Sequence, residues 1–339
     1  MENRTPRFLI AGQLRREYII LPSNQALLDV PGGNLLYAAV GVAVWEPDPP
    51  PAVVARVGDD YPQEWLTDFA RQGLDIRGIR VLSQPVDLRS FTAYTSRSSY
   101  SSDDPVTHFA RLGMPFPRQL LGYRNLTNQI DSRTKLLPHT IRQADIPQDL
   151  LDASAVHICP LDYLTHSLLP AVLRQAEFTT VTLDPSSGYM NPTYWNEVPA
   201  LLTGLTAFLP SEEELRSLFQ GQSDDLWEMA EAIASFGCEM VVIKRGEGGQ
   251  LVYDAARHAR WEVPAYPVRV IDPTGAGDAF CGGFLACYRK TYDALEAAMC
   301  GNISASLVVE GSGPFYALAA HPGLAQARQE ALRQSVRRI

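Results

Sequence analysis

One glycine-rich turn combines the residue types that phosphoryl transfer requires. A short strand-like run leads into Asp272-Pro-Thr-Gly-Ala-Gly-Asp278, and an apolar helical run, Ala279–Tyr288, follows it. Gly275 and Gly277 let the backbone turn sharply and expose amide N–H groups at a helix N-terminus, where an anion is favoured. The Asp278 carboxylate can accept the proton of a hydroxyl held beside that anion. Taken alone, the turn also fits a structural role in which Asp278 only complements the helix dipole.

The elements around this turn predict an α/β fold. Short apolar segments alternate with helical patterns along most of the chain, which favours a doubly wound, mostly parallel sheet flanked by helices. The predicted strands are Phe8–Ala11, Ala52–Val57, Ala155–Cys159, Thr180–Leu183, Ala207–Leu209 and Met240–Lys244. The predicted helices include Pro62–Arg71, Asp224–Phe236 and Ala294–Val309. We expect Asp224 to be the N-cap of the second helix, and Asp293 with Glu296 to form a capping box on the third.

Two regions break the alternation of strand and helix. Glu17–Leu21 and Arg89–Thr95 alternate polar and apolar or aromatic residues, which indicates a half-exposed sheet. We therefore predict a small β-sheet lid formed by residues of about 13–31 and 86–112, within a single domain that covers residues 1–339. Residues 96–145 are rich in Ser, Arg, Gln and Pro, and their length favours a lid insertion or a substrate-facing elaboration over a plain loop.

Composition disfavours several classes of function. The 339 residues are 46% hydrophobic and carry a formal net charge of -9, which disfavours nonspecific binding to nucleic acid or to anionic membranes. No apolar run of about 18 residues and no signal segment is present, so we expect a cytoplasmic protein without a membrane partner. The five scattered cysteines have no metal-binding spacing, and we expect buried free thiols.

The segment Asp272–Phe284 resembles the C-terminal signature of the ribokinase-like (pfkB-type) carbohydrate kinases, roughly D-x-T-G-A-G-D-x-F-x-x-G. The matching positions are Asp272, Thr274, Gly275, Ala276, Gly277, Asp278, Phe280 and Gly283. The resemblance implies a ribokinase-like fold and ATP-dependent phosphorylation of a hydroxyl on a sugar or sugar-like molecule. It makes Asp278 the catalytic base and the amides of Gly275, Ala276 and Gly277 the anion hole. It also implies Mg²⁺, and it allows a monovalent cation near Asp272.

A second match lies on the side where this family binds nucleotide. Val242–Gly249 resembles the family's strand and G-x-x-G loop, in which Gly246 and Gly249 shape the turn and Lys244 or Arg245 approaches phosphate. A surface β-turn is the alternative. The resemblance also assigns Thr274 and Asn302 to the nucleotide, since Asn302–Ser312 is similar to the helix and loop beside the adenine pocket.

The acceptor side departs from the family's pattern. Gly32-Gly33 before a predicted helix at Leu35–Val44 resembles the N-terminal substrate motif, roughly G-G-x-x-x-N-x-A. Tyr37 stands where that motif has Asn, and Glu17 stands where an Asp often binds sugar hydroxyls. By the resemblance these four positions, with Asp278, contact the acceptor. Both departures leave the identity of the acceptor open.

A further departure concerns the metal. Pro210-Ser-Glu-Glu-Glu214 resembles the family's N-x-x-E motif, which influences the binding of magnesium and phosphate. Glu214 fits the glutamate and would act on the metal through water, whereas Ser211 replaces the Asn. An N-cap serine at the start of a helix explains the same residues, and both roles are compatible. Asp184 follows a predicted strand at the end where open sheets bind ligands, so a direct role for it stays open.

Alternative functions remain. A catalytically weak regulatory protein that binds nucleotide or sugar would explain Ser211 and Tyr37, but it has no need of the Asp278 carboxylate. Cyclitol and nucleoside kinases share the scaffold by resemblance. A dinucleotide-dependent oxidoreductase is disfavoured because no G-x-G-x-x-G follows the first strand. The expected partner is a small hydroxylated substrate, no nucleic acid is expected, and a homodimer through the lid is left open.

Overall fold

The chain is built from short strands and helices that alternate along most of its length. The structure is a computed structural model that describes residues 5–97, 99–125, 129–174, 176 and 178–339. Within these residues the strands are β1 Phe8–Ala11, β2 Arg15–Ile20, β3 Ala26–Gly32, β4 Ala52–Val57, β5 Asp75–Val81, β6 Arg89–Tyr94, β7 Tyr100–Ser101, β8 Ala155–Ile158, β9 Thr180–Leu183, β10 Ala207–Phe208, β11 Met240–Lys244, β12 Gln250–Asp254, β13 Ala259–Val263 and β14 Arg337–Arg338.

The helices fill the intervals between the strands and cover both faces of the larger sheet. Over the same described ranges they are α1 Asn34–Ala43, α2 Gln63–Arg71, α3 Pro105–Arg111, α4 Tyr163–Arg174, α5 Val198–Leu202, α6 Glu212–Leu218, α7 Leu226–Ser235, α8 Ala276–Thr291, α9 Ala294–Val308 and α10 Leu324–Arg333. In the part of the chain that the structure describes, none of them is both long enough and apolar enough to cross a membrane.

The larger sheet is mostly parallel. Its ten described strands lie in the order β14-β13-β12-β11-β10-β9-β8-β1-β4-β5. The run from β11 to β5 is parallel throughout, whereas β12, β13 and β14 add antiparallel at one edge. The central strands are buried on both faces, which is why they are short and continuously apolar. The predicted fold class, a doubly wound and mostly parallel sheet flanked by helices, is confirmed.

Two helix N-termini differ from their predictions. Asp225, not Asp224, caps α7, because its side chain accepts from the N–H groups of Trp227 and Glu228 at 2.7 and 3.2 Å. Asp293 does cap α9, where its side chain accepts from two backbone N–H groups. The Glu296 carboxylate is instead paired with the Arg333 guanidinium of α10. The predicted capping box is therefore only half formed.

Helix α8 lies between α1 and α9 at backbone contact distance. A Cβ built on Gly282 would lie 1.9 Å from the carbonyl oxygen of Ala38 in α1, and one on Gly41 would lie 2.2 Å from that of Ala279 in α8. On the other side, a Cβ on Gly301 of α9 would lie 2.6 Å from the carbonyl oxygen of Phe280. Only glycine permits these approaches, so the three helices form one closely packed unit.

The cysteines correct another expectation. Cys287 of α8 and Cys300 of α9 form a disulfide, so the prediction of five free thiols is wrong for this pair. Their separation of 13 residues carries no metal or redox motif, and only the antiparallel packing of the two helices brings the sulfur atoms together. Cys159, Cys238 and Cys281 are free and buried, as expected.

The smaller sheet contains the strands that were predicted to form a lid. It has the order β3-β2-β6-β7, with β2 parallel to β6 and the outer strands antiparallel. Phe109 of α3 and Leu120 pack against Phe91 beneath it, so part of residues 96–145 completes an apolar cluster. Ile141 and Ile146 join the core of the larger sheet. Residues 98 and 126–128 of that stretch lie outside the described residues.

We expect Gly282→Ala to destabilise the protein. The added methyl would force α1 and α8 apart, at a cost of about 1–3 kcal/mol that outweighs the ~1 kcal/mol gain in helix propensity. Urea denaturation gives the free energy of unfolding. Gly248→Ala is the matched control, because a Cβ there would meet only the Arg245 side chain, with Cβ at 3.3 Å and Nε at 3.9 Å. Equal changes in the two variants would contradict the packing argument.

Candidate active site

The glycine-rich turn lies at the N-terminus of α8. Gly275 is the N-cap with φ 75°, a left-handed conformation that favours glycine. A Cβ on Gly275 would also lie 2.1 Å from the Tyr37 ring. The Ala276 N–H donates to the Pro273 carbonyl at 3.3 Å, and Ala279 donates back to Gly275. Within the described chain, three N–H groups of the turn have no backbone acceptor, those of Gly275, Gly277 and Asp278. They are therefore free to bind an anion.

The Asp278 carboxyl lies beside these free donors in the first turn of α8. The residue is half-buried, and burial raises the pKa of its carboxyl to about 6, against the opposing effect of the Lys244 charge. A carboxylate with a pKa near neutrality is better matched to accept a hydroxyl proton than an ordinary aspartate is.

Lys244 ends β11 directly beneath the turn. Its Nζ donates to the Asp184 carboxylate at the end of β9, and it lies 3.6 Å from the Cys281 sulfur. The same Nζ would lie 3.6 Å from a Cβ on Gly277, so it reaches the turn that exposes the free amides. Burial is the largest single effect and acts to lower the pKa of Lys244, but the surrounding groups, with Asp184 first among them, together outweigh it, so the pKa is raised and the ammonium stays charged. Asp184 therefore forms an ion pair with Lys244 and holds the lysine side chain in position.

A cavity of about 470 Å³ opens on one side of the turn. Its size is that of a small-molecule site. Ala276, Gly277, Lys244, Gly246 and Asn302, all assigned by sequence to the anion hole or the nucleotide, lie in its wall. Further apolar side chains line it, namely Val268, Val270, Phe280, Ala305 and Val309. One end of this cavity is thus polar and cationic while the rest is apolar.

Asn302 shapes this cavity through a hydrogen-bond network. Its side-chain oxygen accepts from the Tyr266 N–H at 2.9 Å, and its NH₂ donates to the Gln250 side chain at 2.7 Å and to the Pro264 carbonyl at 2.9 Å. These contacts hold the strand-to-turn segment that forms one wall of the cavity. Gly249 does not line the cavity. It adopts φ 75° and packs against the Val263 carbonyl, where a Cβ would lie at 2.1 Å.

Thr274 and Asp272 connect the turn to the smaller sheet. The Thr274 hydroxyl is 3.0 Å from the Tyr94 hydroxyl of β6, and its N–H donates to Asp272 Oδ1 at 3.0 Å. Thr274 does not line the cavity. Asp272 is buried, and its Oδ2 has no hydrogen-bond partner among the described residues. Burial raises the pKa of this carboxyl. A buried carboxylate oxygen without a donor is chemically suited to a bound cation.

The predicted acceptor residues meet where the smaller sheet joins α1. Glu17 of β2 is buried, and its Oε1 accepts from the Gly33 N–H at 2.8 Å. A Cβ on Gly32 would lie 2.0 Å from the Glu17 carboxyl carbon, so only glycine allows this carboxylate to lie there. Glu17 Oε2 has no partner within the described part of the chain. Burial raises the pKa of Glu17 to about 7, although the Gly33 N–H acts in the opposite direction.

Tyr37 takes a different position from the one its motif suggests. Its ring is buried in the core and packs against Gly275 from below. Burial, and next the charge of Glu17, raises the pKa of its hydroxyl well above the usual value. That hydroxyl has no hydrogen-bond partner among the described residues. Tyr37 therefore packs beneath the glycine-rich turn, and the charges of Glu17, Asp272 and Asp278 act on its hydroxyl.

Ser211 and Glu214 form a complete capping box at the start of α6. Glu214 Oε2 accepts from the Ser211 N–H at 2.8 Å and from its hydroxyl at 2.7 Å, while the Ser211 hydroxyl accepts from the Glu214 N–H. Burial, and next the charge of Asp184, raises the pKa of Glu214 to about 7. In the described chain no three His, Cys, Asp or Glu side chains converge as a direct metal cluster.

Sequence reasoning missed some residues of the site. Gln250 braces Asn302, Cys281 contacts Lys244, and Arg97 from the turn between β6 and β7 lines the cavity. Gln250 and Cys281 are ordinary core residues by their local pattern, so no sequence signal identifies them. Arg15 lies two residues before Glu17 on the same strand, and that spacing was a usable signal because such residues share a face.

Comparison with known proteins agrees with this geometry. The family model described as pfkB family carbohydrate kinase matches residues 119–319. The chain belongs to the pfkB family of carbohydrate kinases. It is therefore a kinase with an alcohol acceptor, as the resemblance implied. One curated relative of this pfkB-family kinase is the cytidine kinase of Thermococcus kodakarensis, which is 28% identical over 292 residues, covering 83% of this chain and 88% of that protein.

Solved structures of the family share the fold. A protein described as ribokinase II from E. coli, in complex with ATP and Mg²⁺, superposes with a TM-score of 0.68 at 19% identity and covers 97% of this kinase and 99% of that chain. A double mutant of the fructokinase from Vibrio cholerae, with fructose, ADP and potassium ion bound, gives 0.66 at 22% identity, covering 98% and 99%. At these identities the likeness establishes the ribokinase-like fold alone.

We expect Asn302→Ala to destabilise this pfkB-family kinase by about 2–4 kcal/mol, because it leaves three buried polar partners unpaired. Urea denaturation followed by tryptophan fluorescence measures the change. Gln220→Ala serves as the control, since Gln220 is exposed on the surface. A change of less than about 0.5 kcal/mol in Asn302→Ala would show that the network does not hold the cavity wall.

Proposed function

We propose that this kinase transfers the γ-phosphoryl group of ATP to a hydroxyl of a sugar or sugar-like acceptor, with Asp278 as the base. The observation that carries the proposal is the position of Asp278 in the first turn of α8, next to the free amides of the turn, of which Gly277 lies in the cavity wall. In this reaction the acceptor oxygen bonds to phosphorus, the bond from phosphorus to the bridging oxygen of ADP breaks, and Asp278 takes the hydroxyl proton.

The nucleotide lies in the cavity of about 470 Å³. The base packs on the apolar wall that Asn302 braces, and the phosphates extend toward Lys244 and the turn. The amides of Gly275 and Gly277 stabilise charge on the transferring group, because fixed donors need no reorganisation during the reaction. The N–H of Ala276 already donates to the Pro273 carbonyl, so Ala276 serves as part of the cavity wall and not as a donor to the phosphate.

Two cations fit the acidic groups around the turn. Among the described residues no direct metal cluster surrounds Glu214, so it would hold Mg²⁺ through water, with Ser211 as its partner. When bound, Mg²⁺ neutralises phosphate charge. The unpaired Oδ2 of buried Asp272 would hold a monovalent cation next to the turn. The Vibrio cholerae fructokinase structure contains a potassium ion, so a protein of this fold binds a monovalent cation.

The acceptor lies between Asp278 and the smaller sheet. Glu17 presents an unpaired Oε2 that can accept from an acceptor hydroxyl, and Gly32 and Gly33 let the molecule approach the backbone closely. The Tyr94–Thr274 hydrogen bond connects this sheet to the catalytic turn. A sheet held over the acceptor excludes water and so reduces wasteful hydrolysis of ATP.

A nucleoside is the second candidate acceptor. It is favoured by the similarity to the Thermococcus kodakarensis cytidine kinase, which extends over 83% of this chain. Both acceptor classes present a sugar hydroxyl to Asp278, so the chemistry is the same. An ATP-consumption screen with sugars, sugar acids, cyclitols and nucleosides separates them.

We expect Asp278→Asn to lower kcat by about 10²–10⁴-fold while leaving ATP affinity within a few-fold of wild type, because the amide cannot take the proton. Single-turnover kinetics and calorimetric ATP titration measure the two effects. Asp293→Asn is the matched control, since it changes another aspartate at a helix start and Asn also caps well. Turnover of Asp278→Asn close to that of wild type would remove Asp278 from the role of base.

We also expect kcat/KM for the acceptor to fall as the pH drops below about 6. Burial raises the pKa of Asp278 to about 6, and only the deprotonated carboxylate accepts a proton. The rate should therefore be full above this pKa and drop about tenfold per pH unit below it. Because burial also raises the pKa of Glu17 to about 7, the profile is repeated in Glu17→Gln, where the fall in rate below about pH 6 should remain. If the fall in rate at low pH disappears in Glu17→Gln, Glu17 and not Asp278 is the group whose protonation causes it.

A further inference from the structure

Arg15 and Glu17 lie on the same face of β2. Residues two apart in a strand share a face, and the register pairs Arg15 with Gly32 and Glu17 with Val30 across β3. The backbone N–H of Arg15 also lies against Gly33, where a Cβ would come within 2.9 Å of its nitrogen. The Glu17 carboxylate lies over Gly32 on this face. Arg15 thus belongs to the acceptor side of the strand.

Arg15 differs from its neighbour Arg16 in its partners. Arg16, on the opposite face of β2, donates to both carboxylate oxygens of Asp29 at 2.8 and 2.6 Å. Among the described residues Arg15 forms no ion pair, and the contact found for its guanidinium is with the side-chain oxygen of Gln13. The carboxylate of Asp87 is already paired with Arg89. A guanidinium has five donors, so Arg15 keeps unused donors beside the acceptor site.

The Arg15 side chain is half-buried and only partly withdrawn from water. Burial lowers the pKa of its guanidinium, and the largest opposing charge effects come from Tyr123 and Glu17. His139, from the stretch of residues 96–145, lies close enough that the Arg15 charge adds to burial in lowering its pKa to about 4. His139 is therefore neutral near neutral pH and adds no second positive charge beside Arg15. An unpaired cation in such a place is costly unless a ligand brings the anion.

We propose that the acceptor of this kinase is a sugar acid whose carboxylate pairs with Arg15. The planar guanidinium fork matches a carboxylate with two parallel hydrogen bonds. A dianionic phosphate ester is disfavoured, because Arg15 is one cation with Glu17 and Asp87 already near it, and a second ligand charge would be repelled by these carboxylates. The free Oε2 of Glu17 accepts a hydrogen bond from a hydroxyl of the same molecule. This inference deepens the proposed function and depends on it for the reaction.

The test compares matched acceptors in wild type, Arg15→Gln, Arg15→Lys and Arg16→Gln. Each of several neutral aldoses is assayed for ATP consumption beside its aldonic acid and its phosphate monoester, with cytidine added as a nucleoside. We expect wild type to prefer an aldonic acid. Arg15→Gln should raise KM for that acid by about 10–100-fold with a smaller change in kcat, since a charged hydrogen-bonded pair is lost. Arg15→Lys should recover part of the affinity.

Arg16→Gln is the control, because it removes an arginine from the other face of the same strand. Its KM for the aldonic acid should stay within about twofold of wild type. Preference for a neutral sugar, a phosphate ester or cytidine would overturn the inference and leave the kinase assignment intact. An equal loss of affinity in Arg15→Gln and Arg16→Gln would also overturn it, since the effect would then be one of strand stability.

A binding measurement distinguishes failure of the proposed function from failure of the carboxylate site. If no acceptor stimulates ATP consumption, the same aldonic acids are titrated into wild type and Arg15→Gln by calorimetry. Binding to wild type that is lost in Arg15→Gln upholds the carboxylate site without turnover. Absence of binding to wild type overturns the site.

Discussion

The close approach of three helices determines where the chemistry can occur. Helix α8 carries the glycine-rich turn at its N-terminus, and glycines let its backbone touch α1 on one side and α9 on the other. No side chain lies between the helix axes at Gly41, Gly282 and Gly301, so the position of α8 does not depend on rotamers. The disulfide joins α8 to α9 further along. The free amides therefore point in a direction set by backbone packing, which is the preorganisation that anion stabilisation needs.

The second constraint is electrostatic. Beneath the turn a single lysine, Lys244, faces Asp184, Glu214 and Asp278, and its ammonium is already bound to the first of them. Burial raises the pKa of Glu214 and of Asp278, which means that the protein holds these carboxyls in a setting where their charge is costly. An arriving cation relieves that cost, whereas an arriving bare phosphate increases it. The site therefore favours a nucleotide that comes together with metal ions.

The sequence predicts the buried sheet and the glycine-rich turn at the start of α8, for a shared physical reason. Strands such as β1 and β4 are buried on both faces, so their composition reveals them. Gly275 is recognisable because its backbone conformation excludes other residues. The disulfide pair was missed because helix packing, not local spacing, joins it. Asp225 was missed as a cap because two adjacent aspartates are locally equivalent, and only the helix start decides between them.

The acceptor half is harder to predict because side chains, not backbone, define it. Arg15 and Glu17 come from β2, His139 from a distant stretch, and Asp278 from α8, so no single motif contains them. A strand tolerates many residues at position 15, since exchanging a side chain on the acceptor face leaves the β2–β3 pairing intact. The glycine-rich turn does not tolerate such exchange, because Gly275 adopts a left-handed conformation that favours glycine. Acceptor choice can therefore change within one fold while the phosphate site stays the same, and it must be inferred from charges that lack partners.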